Sequence, residues 1–150
     1  MSVHVRRVGL VVACVAGFLV ESASAQTCEA VGQHVQLQGR LVHKTFAGPP
    51  GYADITQGDA KEIVAVLRLT HSLCVTGVRG AKDQRRQWVR EVQLLDTHEQ
   101  LHQSGTQACK RTCVVSGELA QADSGHHHLP VLMDIGSVAT LPISPQSAKH

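Results

Sequence analysis

The sequence predicts an all-β chain with one short helix: a small five-stranded OB-like barrel, the helix lying between strands three and four. Three observations lead there. Several short runs alternate apolar and polar residues, the pattern of strands with one buried face. Glycine- and proline-bearing stretches separate those runs, as turns and loops require. One helix-capping signal falls between the third and fourth runs, which is where an OB-fold carries its helix.

The elements follow in order. "VQLQGRLVHKTF" from Val35 places Val35, Leu37 and Leu41 on one face and Gln36, Gln38 and Arg40 on the other, with Gly39 permitting a bend. "AGPPGYADITQGDA" is a long loop, and "EIVAVLRL" (62–69) is the second strand. The polar segment 76–87 leads to "WVREVQLL" (88–95), the third strand. Asp96 or Thr97 then caps a helix expected to end near Gly105. "TCVVSGEL" (112–119) is the fourth strand, "ADSGHHH" a turn or loop, and "PVLMDI" the fifth strand, with Val131, Met133 and Ile135 alternating.

The N-terminus carries a different signal. Arg6 and Arg7 precede the apolar run "VGLVVACVAGFLV", which is followed by Ala23-Ser24-Ala25. That is the form of a secretory signal peptide over residues 1–25, with cleavage before Gln26. The domain is then expected over 26–136, with a loosely ordered tail over 137–150. The expected location is secreted or periplasmic, with no transmembrane segment once the leader is removed. Export makes disulfides the default for Cys28, Cys74, Cys109 and Cys113. Cys28 with Cys74 is the preferred pair; Cys109 and Cys113 can join only if the chain between them curls, because an extended strand holds them too far apart.

Charge excludes one class of partner. Formal net charge is +2, and the leader holds Arg6, Arg7 and Glu21, so the mature chain stays near neutral. Nucleic acid is therefore not an expected partner.

Two motifs invite chemistry. His98-Glu99-x-x-His102 has the spacing of a zinc hydrolase helix, with Glu99 as base. The longer form of that motif wants a ligand at position 108, where this chain has Ala108, and a short polar helix is a poor metal scaffold. The second motif is His126-His127-His128. In an extended segment His126 and His128 point to one side and His127 to the other, so His126, His128 and Asp123 are a candidate set for a weakly held divalent metal. No other cofactor is expected.

"GRLVHKTFAGPPGY", "GDAKE", "LRLTHSLCV", "VREVQLL" and "SGHHHLPVLM" resemble, in this order, a family of exported bacterial domains of unknown function. Its pattern includes F-x-G-P-P-x-Y, G-D-x-x-E and T-G-H-H-H-T-P-V-L. The likeness runs over residues 37 to 135; Leu129 stands where that family has Thr, and Asp123 where it often has His. The resemblance implies an exported single domain and brings no activity with it.

On an OB-fold the loop joining strands one and two and the loop joining strands four and five flank the ligand face. Pro49, Pro50 and Tyr52 lie in the first, and His126, His127 and His128 in the second. The sequence thus reads as a binding or interaction module for an envelope ligand, a glycan or a protein, rather than an enzyme. It leaves the oligomeric state open.

Overall fold

The computed structural model describes residues 27–80, 86–97, 99–103, 109 and 111–141. The expected leader lies outside the described residues. Six strands are present: β1 (Glu29–Ala30), β2 (His34–Ala47), β3 (Lys61–Thr76), β4 (Gln87–Leu95), β5 (Cys113–Gln121) and β6 (Val131–Thr140). A 3-10 turn (Ile55–Gln57) precedes β3, and α1 (Gln100–Gln103) lies between β4 and β5.

The last five strands close an OB-like barrel. Their order is β3-β2-β5-β6-β4, and β4 pairs back onto β3. The β4–β6 pair is parallel, as in Gln93 opposite Leu132, and the other four pairs are antiparallel. The short β1 adds to the far end of β3 in parallel, Glu29 opposite Val75.

Closure depends on β2 serving two partners. Its first half, His34–Gly39, pairs with β5, and from Gly39 onward it pairs with β3. At the crossover the backbones come so close that a Cβ on Gly39 would lie 2.5 Å from the Arg68 carbonyl oxygen. Only glycine fits there, which gives the bend expected at this residue a steric cause.

The alternating positions form the core. Leu37, Leu67, Val92, Val115, Leu119, Met133 and Ile135 are buried in one cluster. Each such side chain contributes about 1.5–3 kcal/mol through removal from water. Two disulfides close the ends, Cys28–Cys74 with Cα atoms 4.6 Å apart and Cys109–Cys113 at 5.0 Å. The second forms because Cys109 lies before β5 begins, on a chain that turns rather than extends.

Three boundaries differ from expectation. The second strand runs on through "THSLCVT" to Thr76, past an interruption in its pairing with β4 between Arg68 and Leu73 that hides the alternation. The helix begins at Gln100 rather than directly after Asp96 or Thr97, because Glu99 sits at φ +56° and breaks helical geometry just ahead of it; its expected end near Gly105 lies outside the described residues. The last strand reaches Thr140, so residues 137–140, expected in the tail, pair with Cys113–Ser116 instead; the residues after 141 lie outside the described ones. Among the described residues, no helix is long and apolar enough to cross a membrane.

Candidate functional site

The loop carrying Pro49, Pro50 and Tyr52 is held by its own backbone. The Asp59 carboxylate accepts hydrogen bonds from the N–H groups of Gly51 (2.7 Å), Ala53 (2.8 Å) and Asp54 (2.9 Å). Those bonds, Ala53 first, hold the Asp59 carboxyl below the usual carboxylate range. Asp54 caps the 3-10 turn by accepting from the Thr56 N–H at 2.8 Å. The Pro49–Pro50 peptide bond is cis, and Tyr52 has φ +56°. A left-handed tyrosine is uncommon; here its N–H donates to the Gly48 carbonyl at 2.9 Å, which keeps it in place.

The histidine loop is held from below by one buried side chain. Gln93 on β4 is 3% exposed. Its amide nitrogen donates to the His126 carbonyl at 2.8 Å, and its oxygen accepts from the N–H groups of His128 (2.8 Å) and Leu129 (3.2 Å). A buried amide with three bonds to one loop fixes that loop's shape.

Glu62, second residue of β3, joins the two loops. Its carboxylate meets His126 Nδ1 at 2.8 Å and His128 Nε2 at 3.2 Å. His126 Nε2 in turn lies 3.1 Å from the Tyr52 hydroxyl. A carboxylate can only accept, so Nδ1 of His126 donates to it; in the neutral ring Nε2 then accepts from Tyr52. The hydrogen bond from His126 holds the Glu62 carboxyl below its ordinary range, against a smaller opposing effect of desolvation and with help from His128.

The rings pack as well as bond. Phe46 stacks on His128 with centroids 4.4 Å apart and planes 2° from parallel. Tyr52 meets His126 edge-on at 5.3 Å. Gly125 lies flat against the Tyr52 ring, where a Cβ would come within 2.9 Å of it, so a side chain at 125 would push the loops apart.

The structure therefore brings Tyr52, His126 and His128 together across the barrel rim. It also separates some expected partners. Asp123 pairs with His127 Nδ1 at 2.8 Å, not with His126 and His128. The loop turns at this point, the His127 N–H donating to the Ser124 carbonyl at 3.1 Å, which puts Asp123 on the His127 side. Among the described residues, no group of three or more His, Cys, Asp or Glu side chains is placed to hold a metal ion. The His126, His128, Asp123 set is thus not assembled.

The zinc-hydrolase motif lacks its helix. His98 lies outside the described residues. Glu99 precedes α1 with a left-handed backbone, so the base of the motif stands outside the helix. Asp96 closes the helix start, accepting from the Leu101 N–H at 3.0 Å.

Beside the cluster is an open groove of about 530 Å³. Pairing of β3 with β4 stops at Val66 opposite Gln93, although β3 begins at Lys61 and β4 continues to Leu95. The strands splay, and the groove fills the gap between them. Ile63, Leu95, Thr97 and His43 line it, with Glu62, His126 and His127 at its wall. Ile63 is 66% exposed, the most exposed large apolar side chain among the described residues.

Sequence reasoning singled out Tyr52, Pro49, Pro50 and the three histidines and gave no role to Glu62, Asp59 or Gln93. A signal was present for two of them: Asp59 and Glu62 are the acidic positions of "GDAKE".

Residues 91–139 match the model of a family described as Domain of unknown function (DUF4431). Over this stretch the chain resembles a domain of unknown function. The matched segment includes Gln93 and the histidine loop and leaves out the Tyr52 loop and Glu62. No curated protein and no solved structure matches the chain.

Proposed function

We propose that this chain is an exported interaction module that takes an extended stretch of another envelope protein in the groove between β3 and β4. Glu62 and the histidine loop form one wall of the groove, and the Tyr52 loop braces that wall through the contact of Tyr52 with His126. The splayed strand edges carry the proposal: backbone groups of 62–65 on the β4 side have no ladder partner among the described residues, and an added strand satisfies such edges. The groove volume of about 530 Å³ suits a short peptide segment or other small ligand, and Ile63 supplies an apolar anchor. A glycan is disfavoured, since stacking needs an open aromatic face, and Phe46 and Tyr52 are already covered by His128 and by Gly125 with His126. Export is supported by the leader pattern and by two disulfides, which persist in oxidising compartments.

Panning a random nonapeptide display library on the oxidised mature chain tests the reading. The expected result is enriched peptides whose affinity falls about tenfold or more with Ile63→Lys, as loss of a buried anchor requires, and falls again when alternate peptide nitrogens are methylated. Peptides that bind Ile63→Lys as well as the parent would remove the groove from the account.

A further inference from the structure

A second recess lies on the β3–β4 seam, away from the groove and independent of the function proposed for it. Where pairing of β3 with β4 is interrupted between Arg68 and Leu73, the strands open around a space of about 470 Å³. Leu69, Val89 and Pro130 give it an apolar lining, and Arg68 and Arg90 stand at its edge with Glu91.

The charge around this recess is unbalanced. Arg40 on β2 lies directly opposite Arg68 on β3; like charges directly opposite one another on neighbouring strands destabilise a sheet. Glu91 is the acidic partner here, and it is shared: it accepts from Lys44 and from Arg68 Nε, the latter at 3.1 Å. Arg90 donates its Nε–H to Ser72 Oγ at 3.1 Å. Among the described residues, no carboxylate pairs with Arg40 or Arg90. Glu91 thus answers Lys44 and Arg68 and leaves Arg40 and Arg90 unanswered, in a chain whose formal net charge is only +2. A sheet that carries this local repulsion gains when an anion relieves it. Guanidinium groups also match carboxylate and phosphate oxygens with paired donors.

We propose that the recess binds a small amphiphilic anion, a carboxylate or phosphate monoester whose head group lies between Arg68 and Arg90 and whose apolar stem rests on Leu69, Val89 and Pro130. The volume is within the range of small-ligand pockets. The lining supplies the usual combination of an apolar floor and a few polar groups that fix orientation. Arg40 contributes through its field rather than by contact, so its removal weakens binding less.

Titration of the ¹⁵N-labelled mature chain with hexyl phosphate, hexanoate, hexan-1-ol and inorganic phosphate tests this. The two amphiphilic anions are expected to give saturable shifts at residues 68, 69 and 89–91 that weaken with added salt. Hexan-1-ol, which has no charge, and inorganic phosphate, which has no stem, are expected to bind about tenfold more weakly or worse. Arg90→Gln and Arg68→Gln should each cost about tenfold in affinity, Arg40→Gln less, and Ile63→Lys nothing. Whether hexyl phosphate or hexanoate binds more tightly tells a phosphate-headed natural ligand from a carboxylate-headed one. Absence of saturable shifts with either anion, equal binding of hexan-1-ol or inorganic phosphate, or unchanged binding by a folded Arg90→Gln protein overturns the proposal. Thermal melting of each variant confirms that it is folded, and Arg90→Lys, which keeps the charge and loses the paired donors, should fall between the parent and Arg90→Gln.

Discussion

Two connections in this barrel carry motif-like residues, and they are held in different ways. The 48–60 loop is tied down at many points: Asp59 gathers three of its backbone N–H groups, Gly48 and Tyr52 bond across it, and the Tyr52 hydroxyl reaches His126 on another loop. The connection between β4 and β5, which holds the Glu99 and His102 of the hydrolase-like motif, is tied instead at its ends: Asp96 accepts from the Leu101 N–H, Thr97 donates to Asp134, and Cys109 is bridged to Cys113. Spacing in sequence is cheap, whereas spacing held by packed partners is what binding or catalysis needs. The histidine loop has such partners in Glu62, Tyr52 and Gln93; of the zinc motif, Glu99 stands outside α1 and His98 lies outside the described residues.

Five measurements break or sharpen that contrast. The largest effect is expected at Gln93→Ala. Its amide supports the histidine loop from a buried position, and its loss leaves two backbone donors and a carbonyl short of partners, at a cost of about 3 kcal/mol in urea unfolding. If that variant is as stable as the parent, the histidine loop is not supported from the barrel. On the other side, Cys109→Ala with Cys113→Ala should cost about 2 kcal/mol, since so short a loop has little closure entropy to remove.

Next in size is Tyr52→Phe, which removes one exposed hydrogen bond and should lower stability by about 0.5–1 kcal/mol. The fourth test uses pH. A carboxyl whose folded-state pKa is depressed adds stability above its unfolded pKa, and that stability is lost as pH falls through the folded value. Glu62 is such a group. The melting temperature of the parent should therefore drop more steeply on acidification than that of Glu62→Gln; Asp59 is present in both proteins, so the difference isolates Glu62. Parallel curves would mean that the histidines gain nothing from its charge. The smallest effect is expected at Glu99→Ala, within about 0.5 kcal/mol, because Glu99 is exposed ahead of α1. Loss of a peptidase activity in Glu99→Ala would reverse the contrast entirely.

Much of the barrel was legible in sequence because period-two alternation reports burial directly. Leu37, Val115, Met133 and Ile135 show it, and the position of the helix followed from Asp96. The extension of β3 through Thr76 was not legible, because the pairing interruption after Arg68 breaks the alternation. Likewise Glu99 carries no sequence mark of its left-handed backbone, so the helix read as starting ahead of Gln100. The two distinctive loops stood out through Pro49, Pro50, Tyr52 and the histidines. Their common anchor did not: an acidic residue at the start of a strand reads as solvated, and only the closed barrel places Glu62 between His126 and His128. Gln93 escaped for a related reason, since a polar residue on the outer face of a strand is buried only once a loop folds over it.

The account rests on two loops, far apart in sequence, meeting at one end of the barrel. Nuclear Overhauser contacts in the oxidised protein measure that meeting directly. The account requires cross-peaks from the Tyr52 ring to the Gly125 α-protons and to the His126 ring, together with cross-peaks between Phe46 and His128. A spectrum that assigns all of these protons and shows none of the contacts contradicts the shared rim, and with it the wall proposed for the groove.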